Sequence, residues 1–125
     1  MRETKFRCWD KISKSIRQVE AIYFDKGNIA SLELVRVTFS ETTVRCPDDV
    51  ILMQYTGQKD EHMRKIYEGD ILEDEDRELW IVMYAESSAG FIMYRLGEER
   101  WKYPYEEEVD ICNIVGNIYE DLKEE

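Results

Sequence analysis

The sequence predicts a mainly β fold, built as a small antiparallel barrel or sandwich with little helix. Short segments rich in β-branched and aromatic residues recur at intervals of roughly 8–12 residues, and turn-like stretches separate them. No long segment shows the 3.6-residue periodicity of an amphipathic helix. The chain has 125 residues, of which 43% are hydrophobic and 36% charged, so it is globular and can bury a modest core.

The first 45 residues predict a small β-rich element. In order, it contains a strand at Lys5–Trp9, a second strand at Val19–Phe24, a turn at Asp25–Asn28 and a long β segment at Ile29–Phe39. Gly27 or Asn28 can take the positive φ that the turn requires. The alternation of apolar residues changes phase between Leu34 and Val35, which indicates a bulge or a change of burial. We also allow a short helix near Ile12–Glu20.

The rest of the chain predicts a series of short strands. They are Val50–Tyr55, Ile66–Leu72, Leu79–Tyr84, Phe91–Tyr94, Arg100–Tyr103 and Ile111–Tyr119, with a possible short helix in the tail at Glu120–Glu125. Within the most apolar strand, alternation places Trp80, Val82 and Tyr84 on one face. One face of this strand must enter the core, and the other can carry an exposed aromatic surface.

Charge divides the chain into two predicted domains. Residues 1–45 carry nine Lys and Arg against six Asp and Glu, a net of +3, whereas residues 46–125 carry eight against 22, a net of −14. The break falls in the turn-like stretch Cys46–Asp49, where proline fixes φ and aspartate can cap. We therefore predict an N-terminal β-rich element at residues 1–49 and a C-terminal domain at residues 50–125.

Cysteine usage and hydropathy predict a cytoplasmic protein. The three cysteines are an odd count at long, unrelated spacings, which fits neither a disulfide framework nor a zinc site. The longest purely apolar run, Leu79–Ala85, is far shorter than a membrane helix of about 20 residues. The first residues carry charges where a signal peptide needs its apolar stretch.

Two central blocks and both ends of the chain resemble the YopX family of small proteins encoded by bacteriophages and prophages. The central blocks are Ile51–Asp60 (ILMQYTGQKD) and Lys65–Ile71 (KIYEGDI), and the flanking ones are Lys5–Asp10 (KFRCWD) and Val115–Glu120 (VGNIYE). The resemblance implies a C-terminal SH3-like barrel, a phage accessory protein in a bacterial host cell, and no catalytic residues. Members usually have a glycine near position 64, where this chain has Glu61–Lys65, so the conformation of loop 58–65 is not predicted.

These blocks supply a set of fold-determining residues, which are Tyr55, Gly57, Tyr67, Gly69, Asp70, Gly116, Asn117 and Tyr119. Gly69 permits a sharp bend at the entry to a barrel strand, and Asp70 can accept backbone N–H bonds there. Gly116 suits a position where backbones crowd or bulge. We expect structural roles for all eight residues.

No residue pattern predicts catalysis, a metal site or a cofactor. His62 has Asp60 and Glu61 beside it, yet adjacent residues in a polar loop are seldom aligned as a base and its orienting acid. The acidic run from Asp70 to Glu78 lacks the spacing of a calcium loop, and we expect a solvated hairpin tip. The run Glu106–Glu108 receives the same interpretation. We therefore predict that the protein is not an enzyme; a weaker alternative is an enzyme that uses Glu68 or Asp70.

Aromatic residues in the C-terminal domain, with Trp9, predict a surface that contacts protein. The candidates are Trp9, Trp80, Tyr84, Trp101, Tyr103 and Tyr105, although packing within the monomer is about equally compatible with the pattern. A net charge of −14 argues against direct nucleic-acid binding, which is largely electrostatic. The functional hypothesis is a non-enzymatic protein-binding module that self-associates as a homo-oligomer, without nucleic acid or membrane partners. The alternative is an acidic DNA mimic that inhibits a nucleic-acid-binding enzyme of the host.

The basic N-terminal segment suggests one further contact. Residues 1–17 have a net charge of +4. We expect the strand Lys5–Trp9 to dock on the acidic domain or on a neighbouring subunit, with Phe6 or Trp9 as its apolar anchor, because exposed ion pairs contribute only about 0–1 kcal/mol each.

Overall fold

The computed structural model describes residues 3–36 and 42–122 and shows a mainly β protein. Strands account for 56% of the structure and helices for 12%, which confirms the predicted fold class. The strands of the N-terminal part are β1 (Phe6–Asp10), β2 (Ser15–Asp25), β3 (Asn28–Leu34), β4 (Thr43–Arg45) and β5 (Val50–Lys59). Those that follow are β6 (Lys65–Tyr67), β7 (Asp70–Glu73), β8 (Leu79–Ala85), β9 (Gly90–Arg95), β10 (Trp101–Lys102) and β11 (Asn113–Asn117). The α-helices are α1 (Glu106–Val109) and α2 (Ile118–Leu122).

The strands form two antiparallel sheets, and the chain divides into two compact units. One sheet has the order β4-β3-β2-β1-β5-β6, and the other has the order β10-β9-β8-β7-β11. The N-terminal unit is Lys5–Met53, and the C-terminal unit comprises the residues from Gln54 onward together with the first four residues. The division falls within β5, whereas the predicted domain boundary precedes this strand.

The N-terminal unit is a set of hairpins. The β2–β3 turn is at Asp25–Asn28 as predicted, and Lys26 (φ 52°) and Gly27 (φ 85°) take the positive φ, whereas Asn28 already belongs to β3. The helix allowed near Ile12–Glu20 is wrong, because a turn at residues 11–14 leads directly into β2. Pairing with β1 and β3 satisfies the backbone of this segment on both sides, which a short polar helix could not match.

The core of the N-terminal unit consists of Cys8, Leu32, Leu34 and Val50, with half-buried apolar neighbours around them. The strand β3 ends at Leu34, where the sequence showed a change of phase, and residues 37–39 of the predicted segment lie outside the described residues. The strand β1 is an interior strand between β2 and β5. Its fully buried side chains are Cys8 and Asp10, whereas Phe6 and Trp9 are half-buried. The strand lies beside β5, which begins the predicted C-terminal domain, and a contact with a neighbouring subunit stays a prediction.

A buried carboxylate stabilises the β1–β2 turn. Asp10 accepts hydrogen bonds from Arg45 (2.9 and 3.0 Å), from the Ser13 hydroxyl (2.7 Å) and from the N–H of Ile12 (3.2 Å). Burial opposes ionisation of this carboxyl, but the bonds from Arg45, Ser13 and Ile12 outweigh it and lower its pKa from 3.8 to about 2. A network of polar side chains therefore stabilises the end of β1.

The depressed pKa of Asp10 predicts an acid-sensitive contribution to stability. A carboxyl whose pKa is lower in the folded state stabilises the fold above its unfolded pKa and loses that contribution as pH falls through the folded value. We therefore expect the free energy of unfolding of the wild-type protein to fall by about 2 kcal/mol more between pH 4 and pH 2 than that of Asp10→Asn does. Urea unfolding of both proteins at intervals across this range measures the difference. Parallel pH curves would contradict the role assigned to the Asp10 network.

In the C-terminal unit, two predicted strands are divided. The segment Ile66–Leu72 is two strands, β6 and β7, separated by a bend at Gly69 (φ 85°). The segment Ile111–Tyr119 is β11 followed by the helix α2. The run Glu106–Glu108, predicted as a solvated charge run, forms the first turn of α1. The strand β10 is shorter than predicted and holds only Trp101 and Lys102.

The core of the C-terminal unit lies against the inner face of its five-stranded sheet. Its buried members are Ile66, Leu72, Trp80, Val82, Met93, Val109 and Cys112. A register shift between Ile114 and Gly116 in the pairing of β11 with β7 is a bulge, as expected for Gly116. Within the described residues no sheet is closed, so an SH3-like barrel is not confirmed.

Candidate functional site

The structure places Trp80, one of the predicted surface residues, in the core. Its side chain is 5% exposed, and its indole N–H donates to Asp74 Oδ2 at 3.0 Å. The ammonium of Lys102 lies 4.4 Å from the ring centroid, and the guanidinium of Arg100 lies 5.6 Å from it. Trp80 and Val82 thus mark the inner face of β8, and only a small part of the Trp80 side chain reaches the surface. Trp9 is half-buried in β1.

Three of the predicted aromatic residues form a continuous exposed surface, which we call the aromatic ladder: Trp101, Tyr103 and Tyr105. They are 51%, 41% and 57% exposed. Trp101 and Tyr103 meet edge to face with ring centroids 5.2 Å apart, and Tyr103 and Tyr105 are 5.8 Å apart. The rings therefore contact one another in sequence while each keeps a large exposed area.

Local backbone geometry produces the ladder. β10 pairs with β9 and places Trp101 opposite Tyr94. The chain then continues through Pro104, whose carbonyl accepts a hydrogen bond from the Gln58 amide, and Tyr105 is extended (φ −65°, ψ 152°). Trp101 and Tyr103 are two residues apart at the end of the strand, where alternate side chains point to the same side. A tight turn at Pro104, in which the Tyr105 N–H donates to the Tyr103 carbonyl at 3.0 Å, then brings the third ring beside Tyr103.

A groove of about 650 Å³ lies beside the ladder and shares Trp101 with it. We call it the acidic groove; it is lined by Asp74, Asp76, Glu78, Trp80, Glu99, Arg100, Trp101 and Lys102. Arg100 binds Glu78 (3.0 Å) and Glu98 (3.2 Å), and Lys102 binds Glu108 (2.8 Å). The cations of the groove are therefore already paired with carboxylates.

Asp74 organises the turn between β7 and β8 below this groove. Its carboxylate accepts the N–H groups of Asp76 and Glu78, both at 2.9 Å, and the indole N–H of Trp80. Burial opposes ionisation, but these bonds outweigh it and lower the pKa of Asp74. The predicted solvated hairpin tip is thus wrong for Asp74, and also for Asp70, which is 1% exposed.

Tyr84, the remaining candidate, lies in the β8–β9 hairpin. It is 48% exposed and makes an edge-to-face contact with Phe91 at 5.6 Å. Among the described rings, its aromatic contact is with Phe91 and not with the ladder. The structure therefore gives two separate exposed aromatic groups in this unit.

The eight fold-determining residues lie outside the ladder and the groove. Tyr55 and Tyr67 are buried with their ring centroids 5.6 Å apart. Gly57 has φ 92°, and Asp70 accepts the N–H of Tyr67 at 2.8 Å. Tyr119 lies in α2, and its N–H donates to the Asn117 side chain at 3.0 Å.

Asn117 caps α2, a role that was not among the sequence predictions. Its side-chain oxygen accepts the N–H groups of Tyr119 and Glu120, and its amide donates to Glu120 Oε1 at 2.6 Å. An asparagine followed three residues later by glutamate is a capping-box pattern, so the signal for this helix was present in the sequence.

Asp60, which is 2% exposed, has a structural role that was not among the sequence predictions either. Its carboxylate accepts three backbone N–H groups, from His62 (2.9 Å), Arg64 (2.9 Å) and Ile114 (3.1 Å), and pairs with the Arg64 guanidinium. Burial opposes ionisation, but the backbone bonds and Arg64 outweigh it and lower the pKa of Asp60. The spacing Asp60–His62 is that of an Asx turn, but nothing local indicates Ile114.

The residues considered for chemistry are dispersed. The His62 ring is exposed, and its Nε2 lies 3.3 Å from Glu61 Oε1. Burial raises the pKa values of the Cys8 and Cys112 thiols to about 11, so both stay protonated at neutral pH. In residues 3–36 and 42–122, no three His, Cys, Asp or Glu side chains are grouped to hold a metal ion. No helix in the same residues is long and apolar enough to cross a membrane.

The protein is therefore a small, mainly β protein with two antiparallel sheets. Its final strand carries a bulge, and an aromatic ladder is exposed at its surface. The chain belongs to the YopX protein family, whose model matches residues 5–123. It is also similar to the crystal structure of protein EF1440 from Enterococcus faecalis, with 20% identity, 98% of each chain covered and a TM-score of 0.67. This likeness shows the fold. None of the curated proteins compared with the chain matches it.

Proposed function

We propose that this protein is a non-enzymatic accessory protein of a bacteriophage or prophage that binds other proteins through the aromatic ladder in the host cytoplasm. The main support for this proposal is that Trp101, Tyr103 and Tyr105 are about half exposed and contact one another. Rings that already contact one another lose little rotamer freedom on binding, so burying them costs little entropy. Tryptophan and tyrosine are common anchors of protein interfaces.

The proposal includes an SH3-like description of the C-terminal unit. Strands β7 to β10 follow one another as a meander, and β11 returns to pair with β7. This order supports a barrel-like arrangement, with the ladder at β10, an edge strand of the sheet. An edge strand of two residues offers few backbone groups for strand addition, so side chains would supply most of the contact.

Self-association is the second part of the proposal. On the outer face of the sheet, the register places Ile81 beside Tyr94, Met83 beside Ile92, and Tyr94 beside Trp101. These side chains are half-buried or exposed and continue from the ladder. An apolar sheet face of this kind suits an isologous contact with a second copy.

The acidic-mimic alternative has less support than the ladder. A mimic needs its carboxylates at the surface, but Asp60 and Asp70 are buried and the Asp74 carboxylate is engaged in its turn. Glu78 and Glu108 are paired with basic side chains. The unpaired negative charge at the surface is therefore smaller than the net charge counted from the sequence.

Removal of the ladder is expected to abolish protein binding. We expect immobilised wild-type protein to retain host proteins from a bacterial lysate that Trp101→Ala/Tyr105→Ala does not retain. We also expect light scattering across a concentration series to show less oligomer for this variant. Two anchor residues at an interface cost at least about 2 kcal/mol each on truncation, which lowers affinity by more than a hundredfold.

The control is Phe24→Ala, which removes an aromatic ring that is 65% exposed in the N-terminal unit. It should leave both measurements unchanged. Retention of the same proteins by the ladder variant and by wild type would contradict the proposed function, and a monomer at every concentration would remove self-association from it.

A further inference from the structure

The acidic groove has carboxylates that the fold does not use. Its lining includes four acidic and two basic side chains. The two cations, Arg100 and Lys102, are held by Glu78, Glu98 and Glu108. Among the described residues, neither the Asp76 nor the Glu99 carboxylate has an ion pair or a side-chain hydrogen bond, and both are exposed. These two carboxylates can meet a cation without first breaking a contact.

The groove and the ladder are continuous at Trp101, which lines the groove and is 51% exposed. A guanidinium or ammonium group placed here can reach a carboxylate and an indole together. Arginine suits such a site because its planar group stacks on aromatic rings while its N–H groups bind carboxylates. The neighbouring rings of Tyr103 and Tyr105 offer apolar contact to the residues that flank the cation.

The charge of the C-terminal unit favours a basic partner. Residues 54–122 contain seven Lys and Arg against 18 Asp and Glu, a net of −11. A field of this sign accelerates the approach of a basic segment and repels nucleic acid. Charge complementarity thus selects among the occupants that the ladder could accept.

We propose that the aromatic ladder and the acidic groove together bind an extended basic segment of a foreign protein, in which arginine or lysine alternates with apolar residues. The cationic side chains lie at Asp76 and Glu99 beside Trp101, and the apolar ones pack on Tyr103 and Tyr105. This inference rests on the proposed function, because it names the partner of the same ladder.

The test uses the full-length protein and short fluorescent peptides in which arginine, glutamine or glutamate alternates with valine. Fluorescence anisotropy should show binding of the arginine peptide, and binding about tenfold weaker or undetectable for the other two. The variant Asp76→Asn/Glu99→Gln should bind the arginine peptide about tenfold more weakly than wild type does. Its affinity for the glutamine peptide should be unchanged. The matched control Glu61→Gln/Glu86→Gln removes two exposed charges of the same unit that do not line the groove, and it should have little effect.

Three outcomes would overturn the inference. They are equal affinities for the arginine and glutamine peptides, equal losses in the two charge variants, and no binding of the arginine peptide at about 1 mM. A nucleic acid that occupied the ladder instead would give the last result. Suppose that wild type binds the arginine and glutamine peptides with equal affinity and that Trp101→Ala/Tyr105→Ala binds neither. This result would contradict a basic partner but would support the ladder as a protein-binding surface. The two proposals can therefore fail separately.

Discussion

Replacement of Asp60 with alanine is expected to lower the free energy of unfolding by about 3–5 kcal/mol, because three backbone N–H groups lose their acceptor. The change leaves the N–H groups of His62, Arg64 and Ile114 without their acceptor, and the Arg64 guanidinium without its counter-ion. Each unsatisfied buried donor costs about 1–3 kcal/mol. Urea unfolding followed by tryptophan fluorescence measures the loss.

The matched control is the neighbouring residue Glu61, whose side chain is exposed and forms an ion pair with His62. Glu61→Ala should change stability by less than about 0.5 kcal/mol. Asp60→Asn keeps the shape and part of the acceptor capacity, so it should lie between the two. If Asp60→Ala unfolded at the same urea concentration as Glu61→Ala, the role assigned to the buried carboxylate would be wrong.

Gly69→Val is expected to destabilise the protein by about 3 kcal/mol. Gly69 has φ 85°, a region that a β-branched residue adopts only with strain. Its N–H donates to the Val82 carbonyl at 2.7 Å, and its own carbonyl accepts the N–H of Ile118 at 3.0 Å. The backbone cannot rotate away from this φ without breaking both bonds. Thermal unfolding of the variant measures the loss.

The same substitution at Gly27 separates backbone strain from these bonds. Gly27 also has φ 85°, and a Cβ added there would meet nothing within 4 Å. It lies in an exposed turn that can relax, so Gly27→Val should cost about 1 kcal/mol. Equal losses at the two glycines would show that φ strain accounts for the whole effect and that the bend between β6 and β7 has no further structural role.

Local patterns predicted the features that neighbouring residues determine. The β2–β3 turn, the bend at Gly69 and the bulge at Gly116 all follow from glycine in a short sequence context. The positions of most strands along the chain followed from alternation between turn signals. Errors occurred where a segment changed type within a few residues, as at β11 and α2, although the pattern from Asn117 to Glu120 carried the necessary signal.

The candidate site could be predicted only in part. The alternation of side chains along a strand defines two faces, but it does not show which of them is buried. Trp80 and Trp101 both lie in alternating aromatic segments, yet Trp80 is 5% exposed and Trp101 is 51% exposed. The difference arises from Lys102 and Asp74, which cover and bind the indole of Trp80. Contacts between β8, β10 and the β7–β8 turn are tertiary, and no local pattern specifies them.

The pairing of β7 with β11 determines when each unit can form during synthesis. The unit Lys5–Met53 holds all of its own core, so it can fold as soon as it has left the ribosome. The C-terminal unit must wait, because β7 lacks its second neighbour and Asp60 lacks the N–H of Ile114 until β11 emerges. The nascent chain therefore exposes the apolar strand β8 throughout that interval, when a chaperone would have most to bind.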